Sequence, residues 1–217
     1  MPQLQLDTEK LAFGLEQGFD EAGLLPKISG LRQFSSEDQR RYALRMRICN
    51  TVAATTFYYL REQGIEAGLF TTEPDLDPSH AIVIAGSSRG NKPKDTVVEG
   101  AYSQFLSYVG LTPRYERKTG SSHFPDEKIL VFRQADREKT VEWLTSVATE
   151  FQEHNVDPSK DGVGAGPLAR APKKAIRRSF ATIWEPLWQT PWHPTADRIK
   201  TAKRVSRSIP KGTIISG

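Results

Sequence analysis

The spacing of apolar residues changes several times along the chain. In "EKLAFGLEQGFDEAGLL", residues 9–25, apolar positions recur at helical intervals and glycines interrupt them. This predicts a short helix, or two, broken by glycine. "SSEDQRRYALRMR" gives a stronger start signal: Ser35 or Ser36 as N-cap, Glu37 and Asp38 in the first turn, then Tyr42, Leu44 and Met46. After Cys49, the set Val52, Ala53, Phe57 and Leu60 keeps helical spacing, and Gly64 suits the C-terminal end. Strands are predicted at "IEAGLFTTE", at "HAIVIAG" (apolar throughout, hence central), at the start of "TVVEGAYSQFL", and at "KILVFR", residues 128–133. "DREKTVEWLTSVATEFQEH" is the clearest helix, with Val141, Leu144, Ala148 and Phe151 on one face and Asp136 as a cap. The expected class is α+β.

Beyond His154 the pattern weakens. "NVDPSKDGVGAGPLARAPKK" is rich in Gly, Pro and Ala and reads as a linker. The remainder holds Trp184, Trp188 and Trp192 among prolines and basic residues. Charge follows the same division. Residues 1–154 carry 18 Lys+Arg against 22 Asp+Glu, and residues 155–217 carry 12 against 4. The expected organisation is therefore an α+β body over 1–154 and a basic, Trp-containing extension over 155–217. No apolar run approaches the ~20 residues of a membrane span, and the first residues lack the pattern of a secretory signal. With a single cysteine no internal disulfide is possible, and a reducing compartment is the default. The expected location is cytoplasmic, or outside the cell by a route independent of a signal peptide. No cofactor is expected, and no metal, because Cys and His ligands do not cluster.

Cys49 stands where a charged stretch meets an apolar helical one. At a helix start, unpaired backbone N–H groups and the helix dipole favour a thiolate. A nucleophile also needs a base and a group to orient it. Of the four histidines, His123 and His193 lie in loop-like contexts and His154 ends a helix, whereas His80 opens the apolar run Ala81–Ala85. A hairpin turning at Arg89–Gly90 pairs residues whose numbers sum to about 179, which sets Glu99 opposite His80, with Cβ atoms ~4.5–5.5 Å apart. A tighter or bulged loop would bring Asp95 nearer instead. Taken singly, each residue has a structural reading: a buried thiol, a satisfied histidine, a turn carboxylate.

In order, a helix-start Cys, a strand opening His-Ala, and "EGAYSQF" at residues 99–105 resemble the papain-like and transglutaminase-like cysteine enzymes. The pattern is nearest to bacterial effector or toxin proteases and glutamine deamidases. The resemblance covers roughly residues 36–110. It implies a Cys-bearing helix on a small antiparallel sheet and acyl transfer on protein or peptide amides. It makes Cys49 the nucleophile, His80 the base and Glu99 the orienting acid, with Asp95 the alternative. The chain departs from the family in carrying Glu for the usual Asp and Gly-Ala for Pro-Thr. Where papain-like enzymes place a Gln before the Cys, this chain has Ala43, which leaves Gln39 or Asn50 for the oxyanion. Asn50 and Gln104 are the substrate-binding candidates. The basic extension supports a different reading: a non-catalytic module holding nucleic acid or an anionic membrane through "APKKAIRRSF", "DRIKTAKRVSR" and the tryptophans. Against it, prolines interrupt any continuous amphipathic helix, and the tryptophans can pack on the body.

Overall fold

The computed structural model describes residues 4–24, 49–71, 80–86, 94–100, 129–153, 168, 171–184 and 190–215. Its elements in order are β1 (Gln5–Leu6), α1 (Thr8–Glu21), α2 (Cys49–Glu62), β2 (Ala67–Thr71), β3 (Ala81–Ala85), β4 (Thr96–Glu99), β5 (Leu130–Arg133), α3 (Arg137–Glu153), α4 (Lys173–Ile183), β6 (Thr190–Pro191), α5 (Ala196–Ser206) and β7 (Ile214–Ile215). This is an α+β protein. The helix expected over residues 36–46 lies outside the described residues.

The chain forms two units, and the division expected at residue 154 is not the one found. The first unit draws on Met1–Ala101, Glu127–Ala135 and Pro186–Gly217, the second on Tyr102–Asp126 and Asp136–Glu185. The C-terminal segment is thus part of the first unit rather than an extension, because its strands and helix complete that unit's sheets and core. β7 pairs with β1, and β6 pairs with β2 as an edge strand of the main sheet. α5 packs on α2 and α1.

The main sheet has the order β5-β4-β3-β2-β6, and every pairing in it is antiparallel. The apolar run "AIVIA" is its middle strand and is buried throughout, as its lack of alternation predicts. α2 lies on the face that carries Leu69, Val83, Ala85 and Val98, and buries Val52, Ala53, Ala54 and Leu60 in the same core. It ends at Gly64, whose φ of +78° is left-handed, while the Ile65 N–H closes back on the Leu60 carbonyl at 3.0 Å. That short turn leads directly into β2, so helix and strand run back to back. The start of α2 therefore lies at the end of the sheet where β2 finishes and β3 begins.

α1 is a single helix, capped by Asp7, which accepts from the Lys10 N–H at 3.0 Å. Its glycines do not break it; they let α5 and the turn after it come close. A Cβ on Gly14 would stand 2.5 Å from Ile209 Cα, and one on Gly18 would stand 2.8 Å from Val205 Cγ1. Glycine costs a helix roughly 1 kcal/mol in propensity. Burial of Leu11, Leu15 and Phe19, each worth ~1.5–3 kcal/mol, outweighs that cost.

In the second unit α3 buries Val141, Leu144, Ala148 and Phe151, the face expected from the sequence. Asp136 ends a short 3₁₀ turn before α3, and its carboxylate meets Lys139 at 3.3 Å. α4 buries Ile176, Phe180 and Ile183. Arg177 of α4 reaches Glu138 at 2.9 Å and also pairs with Glu142, both on α3. Among the described residues, no helix is long and apolar enough to cross a membrane.

Candidate active site

Cys49 is the first residue of α2 and is half-buried. Its Sγ lies 3.4 Å from Asn50 Oδ1, to which the thiol can donate. His80 immediately precedes β3 and is 4% exposed. Its carbonyl accepts from Thr71 Oγ1 at 2.8 Å, which ties it to the last residue of β2. Its Nε2 lies 2.7 Å from Glu99 Oε2 at the end of β4, and Glu99 is 1% exposed. The ring also hydrogen-bonds the Cys49 side chain. The structure thus brings Cys49, His80 and Glu99 together.

The register that achieves this differs from the expected one. β3 and β4 pair Val83 with Val98, Ile84 with Val97 and Ala85 with Thr96, so partner numbers sum to 181 rather than 179. The paired residues end at Val83 and Val98, so His80 and Glu99 stand just beyond the ladder at the same end of the two strands. A shift of two in the sum moves the hairpin's centre by one residue. The Glu99 side chain closes the remaining gap, with Oε2 at 2.7 Å from the ring.

Asp95 stands elsewhere. It is buried opposite Gly86, where a Cβ would come within 3.1 Å of Asp95 Oδ1. It immediately precedes β4, four residues before Glu99 and so ~13 Å away along the extended chain. Gln39, Gln104, His123 and His154 lie outside the described residues.

His80 titrates far from its ordinary value. Burial by itself pushes an imidazole down. The negative charge of Glu99, the hydrogen bond with Cys49, the bond to Glu99 and the charge on Cys49 all push it up, and together they raise it to about 9. A protonated imidazole between a carboxylate and a sulfur is the arrangement that favours a thiolate–imidazolium pair.

Gly100, next to Glu99, has a role the sequence pattern did not reveal. A Cβ there would stand 2.4 Å from Val52 Cγ1, so the first turns of α2 rest directly on the chain leaving β4. Gly100→Ala is expected to push the start of α2 away from His80 and cut Cys49 reactivity at neutral pH at least tenfold. Alkylation rates on the folded variant check this. Thr71 and, from the far end of the chain, Arg198 also contact the site's supports; nothing local in the sequence marks them.

A cavity of about 310 Å³ lies along α2 and β2, lined among others by Phe57, Tyr58, Leu69, Phe70, Trp192 and Ile199. Cys49, His80 and Glu99 are not in its wall. Among the described residues, no group of three or more His, Cys, Asp and Glu could hold a metal. The features proposed for anion binding are built into the fold: Trp184 and Trp192 are 3% and 4% exposed, and Arg177 pairs with two glutamates. Trp188 lies outside the described residues. Comparison with protein-family models, with curated proteins and with solved structures finds no match.

Proposed function

We propose that this protein is a cysteine-dependent acyl-transfer enzyme acting on protein or peptide amides, as a thiol protease, glutamine deamidase or transglutaminase with a papain-like or transglutaminase-like core. The observation that carries this reading is the bridge made by His80, which contacts Glu99 at 2.7 Å and the thiol at the head of α2.

The Cys49 thiolate attacks the amide carbonyl carbon. A C–S bond forms and the carbonyl electrons move onto oxygen. His80 Nε2 is held by Glu99, which leaves Nδ1 as the nitrogen for proton exchange at the sulfur. As the tetrahedral species collapses, the imidazolium gives its proton to the departing amine or ammonia, leaving a thioester. His80 then takes a proton from water, or from an acceptor amine, which attacks the thioester and releases Cys49. Glu99 keeps the ring oriented and stabilises its positive charge. The Cys49 backbone N–H at the helix start is one donor to the oxyanion. With its Oδ1 toward the sulfur, Asn50 is an acceptor. Serving the oxyanion would require its amide to turn and present N–H.

Alkylation by iodoacetamide across pH tests the reading. The rate is expected to stay high to well below ~8.5, the ordinary thiol midpoint. A midpoint near that value, or labelling only in denaturant, would sink the proposal. With casein as substrate, new N-termini, released ammonia or incorporated primary amine would then distinguish the three reactions.

A further inference from the structure

The C-terminal helix reaches the helix that carries the thiol. Arg198 sits in the first turn of α5, where Thr195 caps the helix. Its Nη1 donates to Thr51 Oγ1 at 3.3 Å, and its guanidinium lies 5.6 Å from the centroid of the Trp192 ring. Trp192 is buried, and its backbone N–H donates to the Leu69 carbonyl at 2.9 Å, on the edge of β2. Thr51 is two residues past Cys49. One planar side chain therefore ties the first turn of α2 to the sheet edge.

This placement runs against ordinary helix electrostatics. The start of a helix is its positive end and attracts acidic side chains. The first turn of α2 contains none, and α5 instead brings a guanidinium to it. A second positive charge there is unfavourable for the bare helix and favourable for an anion formed at its head. Arginine suits the position, because a weakly hydrated planar cation can stack on an indole and still donate a hydrogen bond.

We propose, resting on the reading of Cys49 as nucleophile, that Arg198 is a positioning residue that fixes the first turn of α2 against the Trp192 edge and whose charge favours the anionic sulfur. It acts through the helix rather than on the reacting atoms, since residues two apart on a helix do not face each other. His80 and Glu99 are charged groups held beside Cys49. On α5 itself, Asp197 and Lys200 are exposed.

The test is iodoacetamide alkylation of the full chain between pH 5 and 9. Arg198→Met keeps a stem against Trp192 and removes the charge. It should raise the midpoint by about half a pH unit and slow alkylation at pH 6 about threefold, the size of effect typical of one solvent-screened charge at a helix end. Arg198→Lys keeps the charge and should keep the wild-type midpoint, a distinction that loss of packing alone would not produce. Arg198→Met with the wild-type midpoint would overturn the proposal. So would Arg198→Lys shifted upward, which decides the matter even if the Met variant does not fold. A wild-type midpoint near 8.5 would overturn this proposal and the enzyme reading together. A low wild-type midpoint with no shift in the variants overturns this one alone.

Discussion

Cys49→Ala is expected to reduce amide turnover to background while leaving the fold intact. The side chain is small and half-buried at a helix start, so its loss opens little core. The proposed chemistry, by contrast, has no other nucleophile, since the chain contains one cysteine. His80→Ala should come close behind. A general base contributes ~10²–10⁴-fold, and here the same ring also stabilises the thiolate. Glu99→Gln should cost less in rate, because it leaves a hydrogen-bond partner for the ring and removes only the charge. Single-turnover acylation, with circular dichroism as the control for folding, measures all three. A Cys49→Ala protein that still turns over amide would place the chemistry elsewhere.

The second large effect is on stability. Glu99→Ala leaves a buried imidazole without its carboxylate, and breaking a buried charged pair by removing one member typically costs ~3–5 kcal/mol. Its signature lies in the pH dependence. In the wild type the His80 pKa is raised from 6.5 to about 9. The folded state therefore holds a proton that the unfolded chain has lost across that window. The resulting stabilisation is full below pH 6.5 and disappears as pH rises through about 9. It is on the order of 1–3 kcal/mol, given the strong coupling of the buried pair. Without Glu99, the largest upward cause is gone and burial works against Cys49 alone, so the ring's pKa falls. The loss of stability between pH 6.5 and 9 should then shrink or disappear. Thermal denaturation of both proteins from pH 5 to 9.5 checks the sign. A wild-type Tm that does not fall between pH 6.5 and 9 would mean that His80 is not held protonated.

Much of the local structure could be read in advance, because it depends on neighbours in sequence. The helical spacing of Val52, Ala53 and Leu60, the unbroken run "AIVIA" and the left-handed residue at Gly64 are short-range signals, and the structure has a helix, a central strand and a helix end there. The glycines of α1 were misleading for a reason outside the segment. Gly14 and Gly18 answer to Ile209 and Val205, almost 200 residues away, so they look like breaks until the partner is in place. The boundary at residue 154 failed similarly. Composition marks a change of texture, but β6, α5 and β7 return to the first unit through backbone pairing and apolar burial that composition does not encode.

At the site, residue types and their order along the chain singled out Cys49, His80 and an acid near residue 99. That order is a property of the chain alone, and so is the start of an amphipathic helix near Cys49. Which acid meets the histidine depended on the hairpin register, and register is decided by how whole strands pack. The ladder ending at Val83 and Val98 leaves Glu99 at the His80 end of the strands, where the two side chains meet, and Asp95 at the other end against Gly86. The contact of His80 with Cys49, the seat of Val52 on Gly100 and the reach of Arg198 to Thr51 likewise join elements far apart in sequence. Such contacts arise when separate apolar faces share one core. The sequence alone therefore determined the elements and the candidate chemistry, and only the tertiary structure decided which side chains stand within reach of one another.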